Sequence, residues 1–283
     1  MRNSTRSSLP RTLSLAGRYL ALSAVSLVFL APFVWMASGS LKTDAEFKAF
    51  PPTLFGSELR WDNFVRVFQL QPFGAQYLNS IVVLLLVCAL TIVISTAAGY
   101  AFARVRMPAG NLVFLVLLSA MFIPIEATIL PLFRMVVALG WIDTLTPVIV
   151  ISGVISSAPI ATFIMRQAFV SLPDEFGEAA RVDGAGRWRT FLQIYAPMVR
   201  PSVASVLIYT AWISWNQFLE PLLFLRSTER LTVPVALTHF EDMAGPLWGV
   251  QSAAATLSVL PVVVLFLLAQ RQVVAGLTEG GIK

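Results

Sequence analysis

From Gln71 to Ala103 the chain reads QPFGAQYLNSIVVLLLVCALTIVISTAAGYAFA, thirty-three residues without one Asp, Glu, Lys or Arg. A helix that crosses a bilayer needs about 20 mostly apolar residues, so this run is long enough with turns to spare. Its apolar positions do not alternate with polar ones. A strand of an outer-membrane barrel would be about 10 residues long and would alternate. The run is expected to be one long helix that satisfies its own backbone hydrogen bonds in lipid.

Five further uncharged runs flank it: Tyr19–Leu41, Met107–Ile125, Thr144–Met165, Pro201–Leu219 and Ala244–Gln270. Six spans are therefore expected, and the fold class is an all-α integral membrane protein built as a six-helix bundle. Composition agrees. Of 283 residues, 57% are hydrophobic and 12% charged, about half the charged share of an average soluble domain. Mean hydropathy is +0.77, which also excludes a disordered chain. The single cysteine, Cys88, excludes an internal disulfide framework and a Cys-based zinc cluster, and the single histidine, His239, excludes a histidine-rich metal site.

Orientation follows from the basic residues. Arg2, Arg6, Arg11 and Arg18 precede the first run, which is too long and bulky for a cleaved signal peptide and reads as a signal anchor. With the N-terminus in the cytoplasm and six alternating spans, thirteen Lys and Arg residues fall inside and seven outside. Both termini are then cytoplasmic. Residues 1–18 form a cytoplasmic segment and 19–283 the transmembrane domain. The net charge of +5 is spread over loops beside apolar spans, so topology accounts for it without nucleic acid.

The connections differ in size. Arg104–Pro108 reads as a tight turn, and Lys42–Gln71, with Pro51-Pro52, as a folded outer loop. The connection at about 167–200 is long and carries both charge signs. There Ser171-Leu-Pro-Asp174 fits a helix start with Ser171 as N-cap and Asp174 and Glu175 complementing the positive helix end. Phe176, Ala179 and Ala180 would share one face. Asp183-Gly184 should end that helix, because glycine supplies the left-handed C-terminal conformation. A second helix from about Arg187 would align Trp188, Phe191, Leu192 and Tyr195 in an apolar stripe, broken by Pro197 and Pro201. The two alanines leave a shallow face that another protein surface can approach, although an ordinary connector would look the same.

Glu178-Ala-Ala-Arg-Val-Asp-Gly184, continuing to Ile194 and Pro197, resembles the EAA loop of ATP-binding-cassette importer permeases, EAA-x3-G-x9-I-x-LP, with Ala196 where leucine is usual. The stretches Ala49-Phe-Pro-Pro-Thr-Leu, Tyr77-Leu-Asn-Ser80, Ser214-Trp-Asn-Gln-Phe218, Leu231-Thr-Val-Pro234 and Gly276-Leu-Thr-Glu-Gly-Gly look like the sugar-importer branch, most like its maltose-permease (MalG) type, from about Ala31 onward. Gln217 and Glu220 depart from that branch's usual residues. The resemblance implies a bacterial inner-membrane, multi-pass permease of the type I importer kind. It implies that Glu178, Ala179, Ala180 and Gly184, with Asp183, Ala185 and Gly186 around the turn, form a coupling helix seated on a cytoplasmic ATPase. It further implies a second, longer permease subunit, a pair of ATPase subunits holding ATP and Mg, and an external solute-binding protein that delivers a sugar or sugar-like solute.

The chain's own residues fit that division of labour. A phosphate-binding loop needs GxxxxGK[ST], but lysine occurs only at Lys42, Lys48 and Lys283, none after a glycine. No cofactor is expected in this chain. Polar residues at membrane depth are functional candidates. Asn216, Gln217 and Glu220 close the fifth run, where the amides suit a hydroxyl-rich solute and Trp212 and Trp215 offer either ring faces or an interfacial belt. Glu126, between Pro124 and Pro131, lines the path or bonds a neighbouring helix. Asn79 and Ser80 line it or tie helices together. An ion-coupled secondary transporter is the alternative, disfavoured by the absence of repeats and the few ionisable residues in the spans. A membrane enzyme fares worse, lacking a nucleophile–histidine pair.

Overall fold

The long uncharged run does form one helix. The computed structural model describes residues 11–243 and 245–280, so Arg2, Arg6, Ala244 and Lys283 of the orientation and span arguments lie outside the described residues. Helix α1 spans Arg11–Gly39. Two short helices follow, α2 at Asp44–Lys48 and α3 at Asp62–Leu70, and α4 runs unbroken over Phe73–Arg104. The expected third span is bent. Helix α5 (Gly110–Ser119) continues through a tight turn to Phe122, and α6 (Ile125–Ala138) departs at 100°. Pro124 explains the corner: it lacks the N–H a helix needs and drives the preceding residue out of the helical region, and Ile123 is extended at φ −90°, ψ 112°. At 1.5 Å per residue the piece from Gly110 to Phe122 is about 20 Å long, short of the roughly 30 Å apolar core.

Helix α7 (Thr146–Val150) passes through a π-helical stretch, Ile151–Ser157, into α8 (Ala158–Val170). Helix α9 is Glu175–Val182. Helix α10 (Arg187–Thr190) leads through a second π-helical stretch, Phe191–Tyr195, into α11 (Ala196–Met198). Each wide turn comes just before a proline, Pro159 or Pro197, whose ring and missing N–H a regular helix cannot absorb. Pro197 therefore does not break the helix as expected. The break falls at Val199, and α12 (Arg200–Trp215) starts there at 74° with Pro201 in its first turn. Helices α13 (Leu219–Phe224) and α14 (Val233–Ala236) precede a two-residue hairpin, β1 (Glu241–Asp242) with β2 (Gly245–Pro246). The last helix, α15 (Trp248–Gly280), begins inside the uncharged run, after the strand Gly245–Pro246.

Among the described residues four helices are long and apolar enough to cross a membrane, and the two bent pairs raise the number to as many as six. The chain is a multi-pass membrane protein. It divides into two compact units. One comprises residues up to Val67 with Phe240–Leu257, the other Phe68–His239 with everything from Ser258.

The smaller unit confirms the folded loop after α1. Thr43 and Glu46 form a reciprocal cap at the start of α2, and Glu46 also accepts from the Ser57 N–H and hydroxyl at 2.7 and 2.6 Å. Those bonds hold the Glu46 carboxyl down at about 2. Buried Lys42 donates to the Thr53 carbonyl and lies 4.6 Å from the Trp35 ring.

In the larger unit α4 is the axis, packed along α8 and against α12. A Cβ at Gly99 would lie 2.6 Å from the Met165 Cβ, so glycine there lets α8 come close. Two apolar clusters sit toward the two ends of α4. Val83 and Val87 pack with Val136, Val148, Ile151 and Phe224, while Ile92, Tyr100 and Ala103 pack with Met165, Phe169, Phe191 and Tyr195. Between them Thr91 donates to the π-helical Gly153 carbonyl at 3.1 Å.

Candidate functional site

The connection between α8 and α12 is built around a glycine turn and one arginine. Helix α9 ends in a doubly bonded turn: the Ala185 N–H donates to the Ala180 carbonyl at 2.8 Å and the Gly184 N–H to the Arg181 carbonyl at 3.1 Å. Gly184 sits at φ +73°, the left-handed conformation that closes a helix this way. The expected stop at Asp183-Gly184 is what the structure shows. The expected start is not. Ser171 turns its hydroxyl back to the Ala168 carbonyl at 2.8 Å, Asp174 precedes the helix without a side-chain cap, and Pro173 lies outside it. The last turn of α8 has taken the serine.

Only Ala180 of α9 is buried, at 3% exposure. Glu178, Ala179, Asp183, Gly184 and Gly186 are exposed, and Ala185 is half-buried. Phe176 is exposed as well, so the expected shared face of Phe176, Ala179 and Ala180 is not buried as one. The apolar stripe of the next helix is split for a related reason. Phe191 and Tyr195 are buried, but Trp188 and Leu192 are 75% and 60% exposed, because the π-helical turn widens the repeat beyond 3.6 residues. Val182, Trp188 and Leu192 are exposed, as is Ala179, and Glu178 pairs with Arg181 at 3.8 Å. The segment presents a mixed apolar and charged surface on a rigid back.

That back is aromatic. The Tyr100 ring lies 4.7 Å from Phe191, 5.5 Å from Phe169 and 5.6 Å from Tyr195. A Cβ on Gly177 would stand 2.6 Å from the Tyr195 Oη, so glycine there lets α9 lie down on the tyrosine. Arg104, the last residue of α4, reaches across. It pairs with the Asp174 carboxylate, donates to the Phe169 carbonyl at 2.6 Å and to the Leu172 carbonyl, and stands 5.1 Å from the Tyr195 ring. Neither Arg104 nor Gly177 stood out in the sequence, where Arg104 counted only toward orientation.

The polar residues of the spans separate. Trp215, Asn216, Gln217 and Glu220 come together at the junction of α12 and α13. Trp215 is not a free face: it is buried, edge-on to Tyr77 at 5.9 Å, and donates to the Ser258 carbonyl at 3.2 Å. Trp212 is exposed beside an apolar cavity of about 120 Å³ lined by Leu84, Ile208 and Pro261. Asn216 is exposed and donates to the Trp212 carbonyl at 2.8 Å. Gln217 is buried with neither amide atom hydrogen-bonded, and Ser214 and Thr210 on the same face of α12 have unbonded buried hydroxyls. Glu220 is buried. Asn79 and Ser80 lie elsewhere, fastened to the α13–α14 connection. Asn79 donates to the Glu229 and Leu231 carbonyls at 2.8 and 3.1 Å, and the Val233 N–H donates to Ser80 at 2.8 Å. Glu126 is exposed in the first turn of α6. His239 is exposed and Cys88 buried. Among the described residues no cluster of three His, Cys, Asp or Glu is arranged to hold a metal.

A second polar centre joins the α6–α7 connection to the chain after α13. Asp143, at φ 59°, accepts from the Arg226 and Ser227 N–H groups at 2.9 Å each and from the Ser227 hydroxyl, while Arg230 donates to its carbonyl.

Comparison with known proteins decides the family. Residues 92–279 match the family described as binding-protein-dependent transport system inner membrane component. The chain belongs to that family. It is a transport component, not an enzyme. It is 32% identical to the arabinooligosaccharides transport system permease protein AraQ of Halalkalibacterium halodurans, over 93% of this chain and 95% of that one. It is likewise 32% identical to the trehalose/maltose transport system permease protein MalG of Thermococcus litoralis, over 92% and 93%. A chain in the crystal structure of a bacterial ABC transporter for the import of alginate superposes with a TM-score of 0.79 at 21% identity, covering 96% of this chain and 99% of that one, which establishes the shared fold.

Proposed function

We propose that this family member is one permease subunit of an ATP-driven, binding-protein-dependent importer for a sugar or oligosaccharide, in a bacterial inner membrane. The observation that carries the reading is the α9–Gly184–α10 segment: a helix pinned by one buried alanine and an aromatic back, with Glu178, Ala179, Asp183 and Gly184 turned outward. That is the shape required of an element that must fit a partner's cleft and move as a rigid piece. We place it in the cytoplasm against an ATPase of a nucleotide-binding pair, six spans across the bilayer and both termini inside. The solute class is supported by relatives named for arabinooligosaccharides, lactose and trehalose/maltose transport. A solute-binding protein is supported by a structural neighbour solved with a periplasmic protein carrying an alginate pentasaccharide. Helix α1, exposed from Gly17 to Trp35, leaves an apolar face for lipid and for a second permease.

The unbonded side chains of Gln217, Ser214 and Thr210 are the best-supported lining of the path, with Asn216 beside them. Buried amides without partners are costly, and hydroxyls of a passing sugar would supply what they lack.

The test uses the lone, buried Cys88 as a quiet background. Val182→Cys should react with a membrane-impermeant maleimide only in inside-out vesicles, and the tagged chain should co-purify with an ATPase and a second permease. Labelling from the external side, or ATP-independent uptake by the chain alone, would overturn the reading.

A further inference from the structure

We propose that Arg104 is the positioning residue that makes the α8–α9 hinge rigid and so carries force from the α9 segment into α4. The inference rests on the coupling role proposed above. Between Val170, which ends α8, and Glu175, which starts α9, lie four residues that include Pro173. Left to themselves they would be a hinge, and a push on α9 would be lost in bending it. Arg104 spans that hinge from outside. Its guanidinium holds the carbonyls of Phe169 and Leu172 on the α8 side and the carboxylate of Asp174 on the α9 side, and it faces the Tyr195 ring of the scaffold beneath.

The choice of side chain matters. Carbonyls at a helix C-terminus have no partner within the helix and attract a cation, and a planar guanidinium can meet several acceptors at once where an ammonium is a single point charge. The Arg104 side chain is 12% exposed, whereas that of Asp174 is 84% exposed. An ion pair to so exposed a carboxylate contributes little by itself, so the half-buried bonds to the two carbonyls supply most of the grip, and Asp174 sets its direction. Because Arg104 closes α4, the helix that packs along both α8 and α12, displacement of α9 becomes displacement of the central helix.

The experiment is reconstitution of the complete transporter with its own ATPase and binding protein, reading solute uptake and ATP hydrolysis side by side. Arg104→Gln should assemble with the ATPase and keep hydrolysis within about twofold, while uptake per ATP falls at least tenfold. Arg104→Lys should recover part of that loss, and Asp174→Asn should lose less than Arg104→Gln. Uptake per ATP within twofold of wild type in Arg104→Gln overturns the inference. If Arg104→Gln does not assemble, the Lys and Asn variants decide: a lowered ratio supports the role and an unchanged ratio in both removes it. Wild-type transporter that takes up solute without ATP would bring down the coupling reading itself, and the inference with it, a result distinguishable from failure of the arginine alone.

Discussion

The two ends of α4 carry two differently finished loops. At the Phe73 end, Gln76, Asn79 and Ser80 bond the backbone of residues 228–233, and Asp143 gathers the backbone of Arg226 and Ser227. The donors of Gln76 and Asn79 and the acceptors of Ser80 and Asp143 meet partners inside the chain. At the Arg104 end the bonds lie beneath α9, and its outer surface, with Val182 87% exposed, is left uncovered. One end is fastened to itself; the other is stiffened from behind and offered to something else. A loop that only connected two helices would need neither the Gly177 approach to Tyr195 nor the arginine brace.

The largest effect is expected where the uncovered end is broken. Gly184→Val places a β-branched residue at φ +73°, a conformation that costs an ordinary L-residue roughly 1–2 kcal/mol and a β-branched one more. No atom stands within 4 Å of a Cβ built there, so the substitution acts through the backbone and leaves the bundle unclashed. Uptake should fall at least tenfold with membrane insertion unchanged, measured by transport in intact cells beside quantitation of the chain in membranes. Wild-type uptake would show that the turn does not transmit.

The fastened end should respond to pH instead. The Asp143 carboxyl is held at about 2, below its ordinary 3.8, by the Ser227 hydroxyl, then by the Ser227 and Arg226 N–H groups. A carboxylate lowered on folding contributes stability in full above its ordinary value and loses it as pH falls toward the lowered one. Asp143→Asn should therefore lower the Tm of the detergent-solubilised chain at pH 7, and the gap to wild type should close between about pH 4 and pH 2. The difference between the two chains isolates Asp143 from Glu46, which titrates in the same range. A gap independent of pH would mean that the clasp does not depend on charge.

Local features were legible in the sequence and distant ones were not. The uncharged run gave α4 almost to the residue, because a helix in lipid needs only length and apolarity. The stop at Gly184 was equally readable, since the turn chemistry lies within three residues. The corner at Pro124 was hidden inside a run whose hydropathy gives no sign of it, and the π-helical turn before Pro197 shifted Trp188 and Leu192 off their expected face. Arg104 and Asp174 are 70 residues apart, Asp143 and Ser227 84. No spacing rule joins such pairs; only the packing of α4 against its neighbours does. The same limit explains why Asn79 stayed between lining the path and tying helices together until it proved bonded, while Gln217 proved bare.

Gln76 Oε1 and Thr232 Oγ1 are unbonded at the fastened end too, but Gln217, bare at both amide atoms, gives the finest test of the contrast. Both amide atoms are buried and unbonded, and an unsatisfied buried group costs about 1–3 kcal/mol. Gln217→Met keeps the volume and removes the unmet polar atoms, so the solubilised chain should melt at or above the wild-type temperature. If the amide waits for the solute, uptake should nevertheless fall severalfold, with hydrolysis by the assembled transporter little changed. Stability gained with function lost would place this side chain among those kept for what passes it. Uptake equal to wild type would return Gln217 to the packing of α12 and remove the proposed lining from this end of the bundle.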